Sequence, residues 1–149
     1  MERGHATDQL YRERILEHAR SPHNWSPPAP PLERVDLQFR DLNPVCGDDL
    51  TVTLMVQPDG QILDVRFEGH SCAICQAAAS MASDEIRHKR TSEILALDQS
   101  FILQLLGTEI PPLRLRCALL PLKVIKSAVL GRSADWELGP ATNADRINP

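Results

Sequence analysis

No run of apolar residues in this sequence approaches the roughly 18–20 that a bilayer span requires. The opening Met1-Glu2-Arg3-Gly4-His5 is followed by no apolar signal core, so no membrane partner and a cytoplasmic location are expected. Positive charge is not in excess: sixteen Lys and Arg face twenty Asp and Glu, a formal charge of −4. The electrostatic footprint of a nucleic-acid binder is missing, and nucleic acid is not an expected partner. A glycine-rich phosphate loop and a Ser/His/Asp arrangement are also lacking. Nucleotide-binding and hydrolase chemistry therefore have no residues to act through. There are no internal repeats.

What remains is a chain of 149 residues, 42% hydrophobic and 24% charged. That length suits one domain burying about 68–70% of its unfolded surface. It also holds four cysteines. In a reducing compartment thiols stay free, so these are read as metal ligands, reactive groups or buried apolar residues rather than as disulfides.

The hydrophobic period changes along the chain. Leu10, Tyr11, Ile15 and His18 or Ala19 recur at helical spacing from Asp8 to Arg20, with Asp8 available as an N-cap. Ser21-Pro22 ends that helix, and Pro27, Pro28, Pro30 and Pro31 make residues 21–31 an extended connector, better read as a packed strap or linker than as a binding motif. Val35, Leu37 and Phe39, then Leu50, Val52, Leu54 and Val56, then Leu63, Val65 and Phe67 alternate with period two. Pro58-Asp59-Gly60 supplies the turn of a hairpin between the second and third runs, which the first run can join.

From Ser71, a plausible cap, the helical period returns and runs to about Lys89. Thr91 and Asp98 can cap two short helices, Ser92–Leu97 and Gln99–Leu106, the second ended by Gly107. After Pro111-Pro112 a last helix is expected from about Ala118 to Leu130, closed by Gly131, with Pro121 tolerated only in its first turn. Strands followed by helices predict an α+β fold: a three-stranded, largely antiparallel sheet with helices packed on one face. The single domain spans 1–131, with its core at about 8–131, and 132–149 is expected to fray.

Cys46, Cys72 and Cys117 are far apart, yet each sits where two elements join. In Cys46-Gly47-Asp48, an extended backbone would point thiolate and carboxylate to one side, with Gly47 removing a side chain that would crowd them. Cys72 lies at a helix mouth, where free N–H groups and the macrodipole favour a thiolate. Three thiolates and a carboxylate suit zinc, or a 2Fe-2S cluster with Asp48 as the fourth terminal ligand. Core filler is the competing reading for scattered cysteines. Cys75, three residues beyond Cys72, could reach the same metal, form a redox pair with Cys72, or pack beside Ala78 and Met81. His70 could assist Cys72 or simply be solvated. His18 and His23 are expected to pack or bond locally, and His5 and His88 to be exposed.

Asn43-Pro44-Val45-Cys46-Gly47-Asp48, Gly69-His70-Ser71-Cys72-Ala73-Ile74 with Ala79-Ser80-Met81, and Arg114-Leu115-Arg116-Cys117-Ala118-Leu119-Leu120 together resemble the NifU N-terminal/IscU/SufU family of iron–sulfur assembly scaffolds. Tyr11 to Asn24, with Ile15, His18, Pro22 and Asn24, is similar to that family's first helix and the connector after it. The resemblance spans roughly residues 8–131. It implies a SufE/NifU-like α+β fold, ligation at Cys46, Asp48, Cys72 and Cys117, and sulfur supplied by a pyridoxal-phosphate cysteine desulfurase.

The cysteine blocks resemble SufU, whereas the spacing, 26 positions from Cys46 to Cys72 and 45 from Cys72 to Cys117, resembles IscU, which lacks the SufU insertion. Arg116 stands where IscU proteins usually carry histidine and cannot ligate a metal. Cys75 stands where SufU-like proteins commonly have serine. Ile110-Pro111-Pro112-Leu113-Arg114 is similar to the Leu-Pro-Pro-Val-Lys segment that a dedicated Hsp70 chaperone recognises in IscU, although a simple helix breaker is the preferred reading.

The leading expectation is a scaffold with little turnover of its own, building a transient 2Fe-2S cluster for recipient apo-proteins or carriers. Cys46 or Cys117 would accept the persulfide. The alternative is a SufU-like zinc-dependent sulfurtransferase on the same residues. A purely structural zinc domain fits least, because carboxylate ligation is uncommon in closed structural sites.

Overall fold

The computed structural model describes residues 2–136. The chain runs α1 (Glu2–Arg20), β1 (Leu37–Asn43), β2 (Asp48–Val56), β3 (Ile62–His70), α2 (Ala73–Ile86), α3 (Thr91–Leu95), α4 (Gln99–Leu106) and α5 (Leu115–Leu130), with a single 3₁₀ turn at Pro112–Arg114 before α5. The expected α+β architecture is present: one antiparallel sheet in the order β1-β2-β3. Leu50, Val52 and Leu54 alternate on its buried face, under α5, which crosses β1 and β2, while α2 lies on β3 and against α5. Full burial of each of these side chains stabilises the fold by about 1.5–3 kcal/mol. α1 packs on α2 and α4, forming a second helical layer.

Several local expectations are corrected. In β3 the buried residues are Ile62, Val65 and Phe67, with Leu63 only half-buried. The register shifts at Met55/Val56, where Met55 faces Asp64 but Val56 faces Ile62. This bulge skips Leu63 and breaks the period of two. Val35 precedes β1 and is exposed, as is Leu10, at 67%; among the described side chains of α1 the buried one is Ile15. The helix includes Asp8, which therefore does not cap it.

Ser71 likewise lies one residue before the N-cap of α2, which is Cys72. Thr91 is inside α3, whose N-cap is Arg90, with the Arg90 N–H donating to Glu93 Oε1 at 2.9 Å. Asp98 does cap α4, accepting from the Ser100 N–H, and Gly107 closes it in the left-handed region. A side chain at Gly107 would strike the Tyr11 ring, 2.2 Å from an added Cβ, so this glycine also admits α1 against α4. The 3₁₀ turn lets α5 start at Leu115, which puts Pro121 beyond the first turn. Pro121 has no N–H for the carbonyl of Cys117, four residues earlier.

The proline-rich connector is a packed strap. Phe67 donates its N–H to the Asn24 carbonyl at 2.9 Å, and Ser26 donates to the Phe67 carbonyl at 2.8 Å. Trp25 is thereby buried, stacked on Phe67 with ring centroids 6.3 Å apart. Residues 132–136, expected to fray, are also tied down: Ala134 N–H donates to Ser127 Oγ at 2.9 Å, and the Trp136 ring lies under Arg116 and Lys123, 5.0 and 4.9 Å from its centroid. Cation–π attraction and the hydroxyl acceptor hold a segment with no periodicity of its own. The rest of the expected tail, 137–149, lies outside the described residues, as does the His5 side chain.

The join between the strap and α2 is polar. His23 N–H donates to Ser80 Oγ at 2.7 Å, and His18 Nδ1 lies 2.7 Å from the same oxygen. With that oxygen already accepting from His23, the Ser80 proton is available to neutral His18. Burial holds His18 below the usual histidine range, reinforced by His23 and Arg14 and opposed by Asp84 and Glu17. On acidification the unfolded chain therefore takes up this proton first, so stability falls as pH drops below about 6.5 and levels off beneath the folded pKa. Urea unfolding followed across that range should show this slope, and His18→Gln should flatten it.

Candidate metal centre

The strongest convergence of ligand atoms lies at one end of the sheet. A turn at residues 44–47 joins β1 to β2, closed by the Cys46 N–H donating to the Asn43 carbonyl at 3.2 Å. Gly47 occupies it with φ 73°, and an added Cβ would meet nothing within 4 Å. The glycine therefore serves the left-handed backbone of the turn, not the relief of crowding, and the segment is not extended. The turn carries Cys46 back over Asp48, the first residue of β2, while the start of α5 brings Cys117 to the same point. The two sulfurs and one Asp48 oxygen all lie within 4.8 Å of one another.

In this structure Cys46 and Cys117 are joined as a disulfide, with Cα atoms 6.9 Å apart, and the free cysteines are Cys72 and Cys75. The expectation that all four thiols are free is corrected for this pair: the turn and the α5 N-terminus meet closely enough for the sulfurs to bond. Reduction precedes metal binding, because thiolates are the ligands. Once reduced, two soft sulfurs and one hard oxygen in so small a space suit a tetrahedral metal ion or the edge of a cluster.

Cys72 belongs to this neighbourhood through its backbone. Its N–H donates to Asp48 Oδ1 at 2.8 Å, which docks the mouth of α2 on the buried carboxyl group. Its sulfur stands outside the group of three, half-buried. Cys75, one turn along α2, is fully buried. Burial, followed by the charge of Asp48, pushes the Cys75 thiol well above the ordinary range, so it is protonated at neutral pH. His70 is exposed at the end of β3, opposite Asp49, and His88 is exposed beyond α2.

Two residues at the centre had no role assigned from sequence. Asn43, buried at the end of β1, donates from Nδ2 to Asp48 Oδ2 at 3.4 Å and to Cys117 Sγ at 3.6 Å. Its place in the Asn-Pro-Val-Cys-Gly-Asp run was a usable signal, since a buried amide must find partners. Arg114, in the 3₁₀ turn, donates to Cys46 Sγ at 3.8 Å. Around them Val45 and Leu113 stand 73% and 83% exposed.

A buried carboxyl group and two cysteines 71 positions apart thus meet at one end of a three-stranded sheet packed under helices. Residues 10–133 match the family model described as NifU-like N terminal domain, and the chain belongs to that family. It is 31% identical over 129 residues to "Iron-sulfur cluster assembly protein 2" of Arabidopsis thaliana, covering 81% of this chain and 72% of that protein. It is 30% identical over 140 residues to "Zinc-dependent sulfurtransferase SufU" of Bacillus subtilis, covering 82% and 90%. Among solved structures it is similar to that of a putative iron-sulfur cluster assembly scaffold protein for the SUF system from Fervidobacterium islandicum AW-1, with a TM-score of 0.61 and 26% identity over 78% of this chain and 94% of the other.

Asn43→Ala leaves the buried Asp48 carboxyl group with one donor fewer. A loss of about 1–3 kcal/mol in unfolding free energy is expected in urea titrations; an unchanged midpoint would mean that Asn43 does not support the carboxyl group.

Proposed function

We propose that this protein is a scaffold on which a transient 2Fe-2S cluster is assembled, held by Cys46, Asp48, Cys72 and Cys117. The observation that carries this reading is the meeting of Cys46, Asp48 and Cys117 within 4.8 Å, with Cys72 anchored on Asp48 by its N–H. Iron and sulfide are the cargo. Sulfur arrives as sulfane sulfur from a cysteine desulfurase and is carried as a persulfide on a thiolate of the site, Cys46 or Cys117. The finished cluster passes to apo-proteins or carriers.

The protein's own part is ligand geometry. Asp48 supplies a hard oxygen among soft sulfurs, a weaker bond to iron that keeps the cluster exchangeable. Asn43 and the Cys72 N–H hold the two carboxylate oxygens and orient the ligand. Arg114 lies over Cys46, where its positive charge favours the thiolate. The exposed Val45 and Leu113 give a protein partner apolar surface beside Cys46. Among the described residues no helix is long and apolar enough to cross a membrane, and a cytoplasmic site of action fits the reading.

A second reading, zinc-dependent sulfur transfer on the same ligands, is favoured by the likeness to the Bacillus subtilis sulfurtransferase over 90% of its length. Anaerobic purification with measurement of iron, acid-labile sulfide and zinc per chain, together with the visible spectrum, separates the two. The scaffold predicts iron and sulfide in near-equal amounts with a charge-transfer spectrum. Stoichiometric zinc without sulfide would move the conclusion to sulfur transfer, and no metal after reconstitution would overturn the site. Asp48→Ala is expected to retain the fold by circular dichroism yet slow cluster transfer to an apo-acceptor by at least about tenfold; unchanged transfer would remove Asp48 from the mechanism.

A further inference from the structure

Two sulfurs of the centre differ in access and yet touch. Cys46 is half-buried on the turn between β1 and β2, next to the exposed Val45, where a protein partner can reach it. Cys117, in the first turn of α5, has no exposed surface. A sulfur donor outside the protein therefore meets Cys46 and not Cys117. Cys117 in turn meets Cys46, because the two sulfurs are bonded to each other in this structure. Polar groups flank both. Asn43 Nδ2 donates to Cys117 Sγ at 3.6 Å, and the N-terminal turn of the sixteen-residue α5 carries the positive end of the helix dipole; each favours negative charge on the inner sulfur. Arg114 donates to Cys46 Sγ at 3.8 Å, so a group that leaves Cys46 as an anion departs beside a fixed positive charge.

We propose that Cys46 takes up the sulfane sulfur and that Cys117 discharges it as sulfide, leaving the Cys46–Cys117 disulfide as the product. The inference rests on the sulfur-accepting reading above; it chooses between the two acceptors and adds the source of electrons. Sulfane sulfur in a persulfide is two electrons more oxidised than the sulfide a cluster needs. The Cys117 sulfur attacks the inner sulfur of the Cys46 persulfide. A Cys46–Cys117 bond forms, the sulfur–sulfur bond of the persulfide breaks, and the outer sulfur departs with its bonding electrons beside Arg114. The Cys117 proton leaves with it, so Cys46–S–SH and Cys117–SH become Cys46–S–S–Cys117 and H₂S. The two cysteine sulfurs are oxidised and the sulfane sulfur is reduced. An external dithiol then restores both thiols by exchange, which frees them to act as ligands. Access and bonding reach give the two cysteines separate parts: the outer one receives, the inner one reduces.

The test uses the full chain, reduced, free of metal and under anaerobic conditions, with inorganic polysulfide as the probe and no desulfurase or iron. Samples are quenched at successive times, and tryptic peptides are weighed without reduction. Cys46 lies in Asp41–Arg66, Cys117 in Cys117–Lys123, and Cys72 with Cys75 in Phe67–Arg87, so each pairing has its own mass. The natural chain is expected to gain one sulfur atom on Asp41–Arg66 and then to convert it into Asp41–Arg66 linked to Cys117–Lys123. Cys117→Ser and Cys117→Ala are expected to keep Asp41–Arg66 one sulfur atom heavier. A link that forms equally without polysulfide would overturn the proposal, as would a link from Asp41–Arg66 to Phe67–Arg87 in its place. So would a natural chain that keeps the added sulfur unlinked, or that takes up none, results that stand whether or not the variants fold. Of these last two, the first leaves sulfur acceptance intact and the second removes it. Because the assay contains no iron, the measurement of iron and sulfide per chain judges the scaffold reading separately.

Discussion

A carboxyl group removed from water has to be met by hydrogen-bond donors, and Asp48, almost fully buried, is met from two directions. Oδ1 accepts from the Cys72 N–H at the mouth of α2, and Oδ2 from Asn43 at the end of β1. Since Asp48 itself opens β2, one side chain ties three elements together at a point. Cys117, at the start of α5, joins the same set through Asn43. The polar requirement of one buried group therefore places four chain segments around a space of metal-ion size. The surrounding hydrophobic core has no such directional demand and would tolerate small displacements of each.

A second polar contact joins α5 to β1. Lys123 on α5 is buried and pairs with Asp41 on β1, two residues before Asn43. The same ammonium reaches Ser133 Oγ at 3.2 Å and lies over Trp136. A buried ammonium without a partner would be costly. This pair sets how α5 lies along β1, and hence where Cys117 arrives. The guanidinium of Arg116, the residue before Cys117, lies over the same Trp136 ring.

Much of the architecture was readable in advance because it rests on periodicity. Alternation marked the strands, the helical repeat marked α2 and α5, and Asp98 with Gly107 bounded α4 through local hydrogen bonds and backbone preference. Errors fell where a neighbour distant in sequence decided. The bulge at Leu63 depends on pairing with β2. The packing of residues 132–136 depends on α5. The N-caps fall at Cys72 and Arg90, each one residue from the local signals Ser71 and Thr91, because the backbone enters the helix where tertiary contacts such as Cys72 on Asp48 permit.

The amino-acid order determined by itself which chemistry was available: three cysteine blocks, a carboxylate two positions from the first, and no phosphate loop or hydrolytic triad. Those are statements of side-chain type and short spacing, carried by the covalent chain. Only the tertiary structure decided which donors meet. It set Cys46, Asp48 and Cys117 together, left the Cys72 sulfur at the edge, and sank Cys75 into the core. Convergence across 71 positions from Cys46 to Cys117 is governed by how helices pack on a sheet, and that packing is settled by the whole core at once.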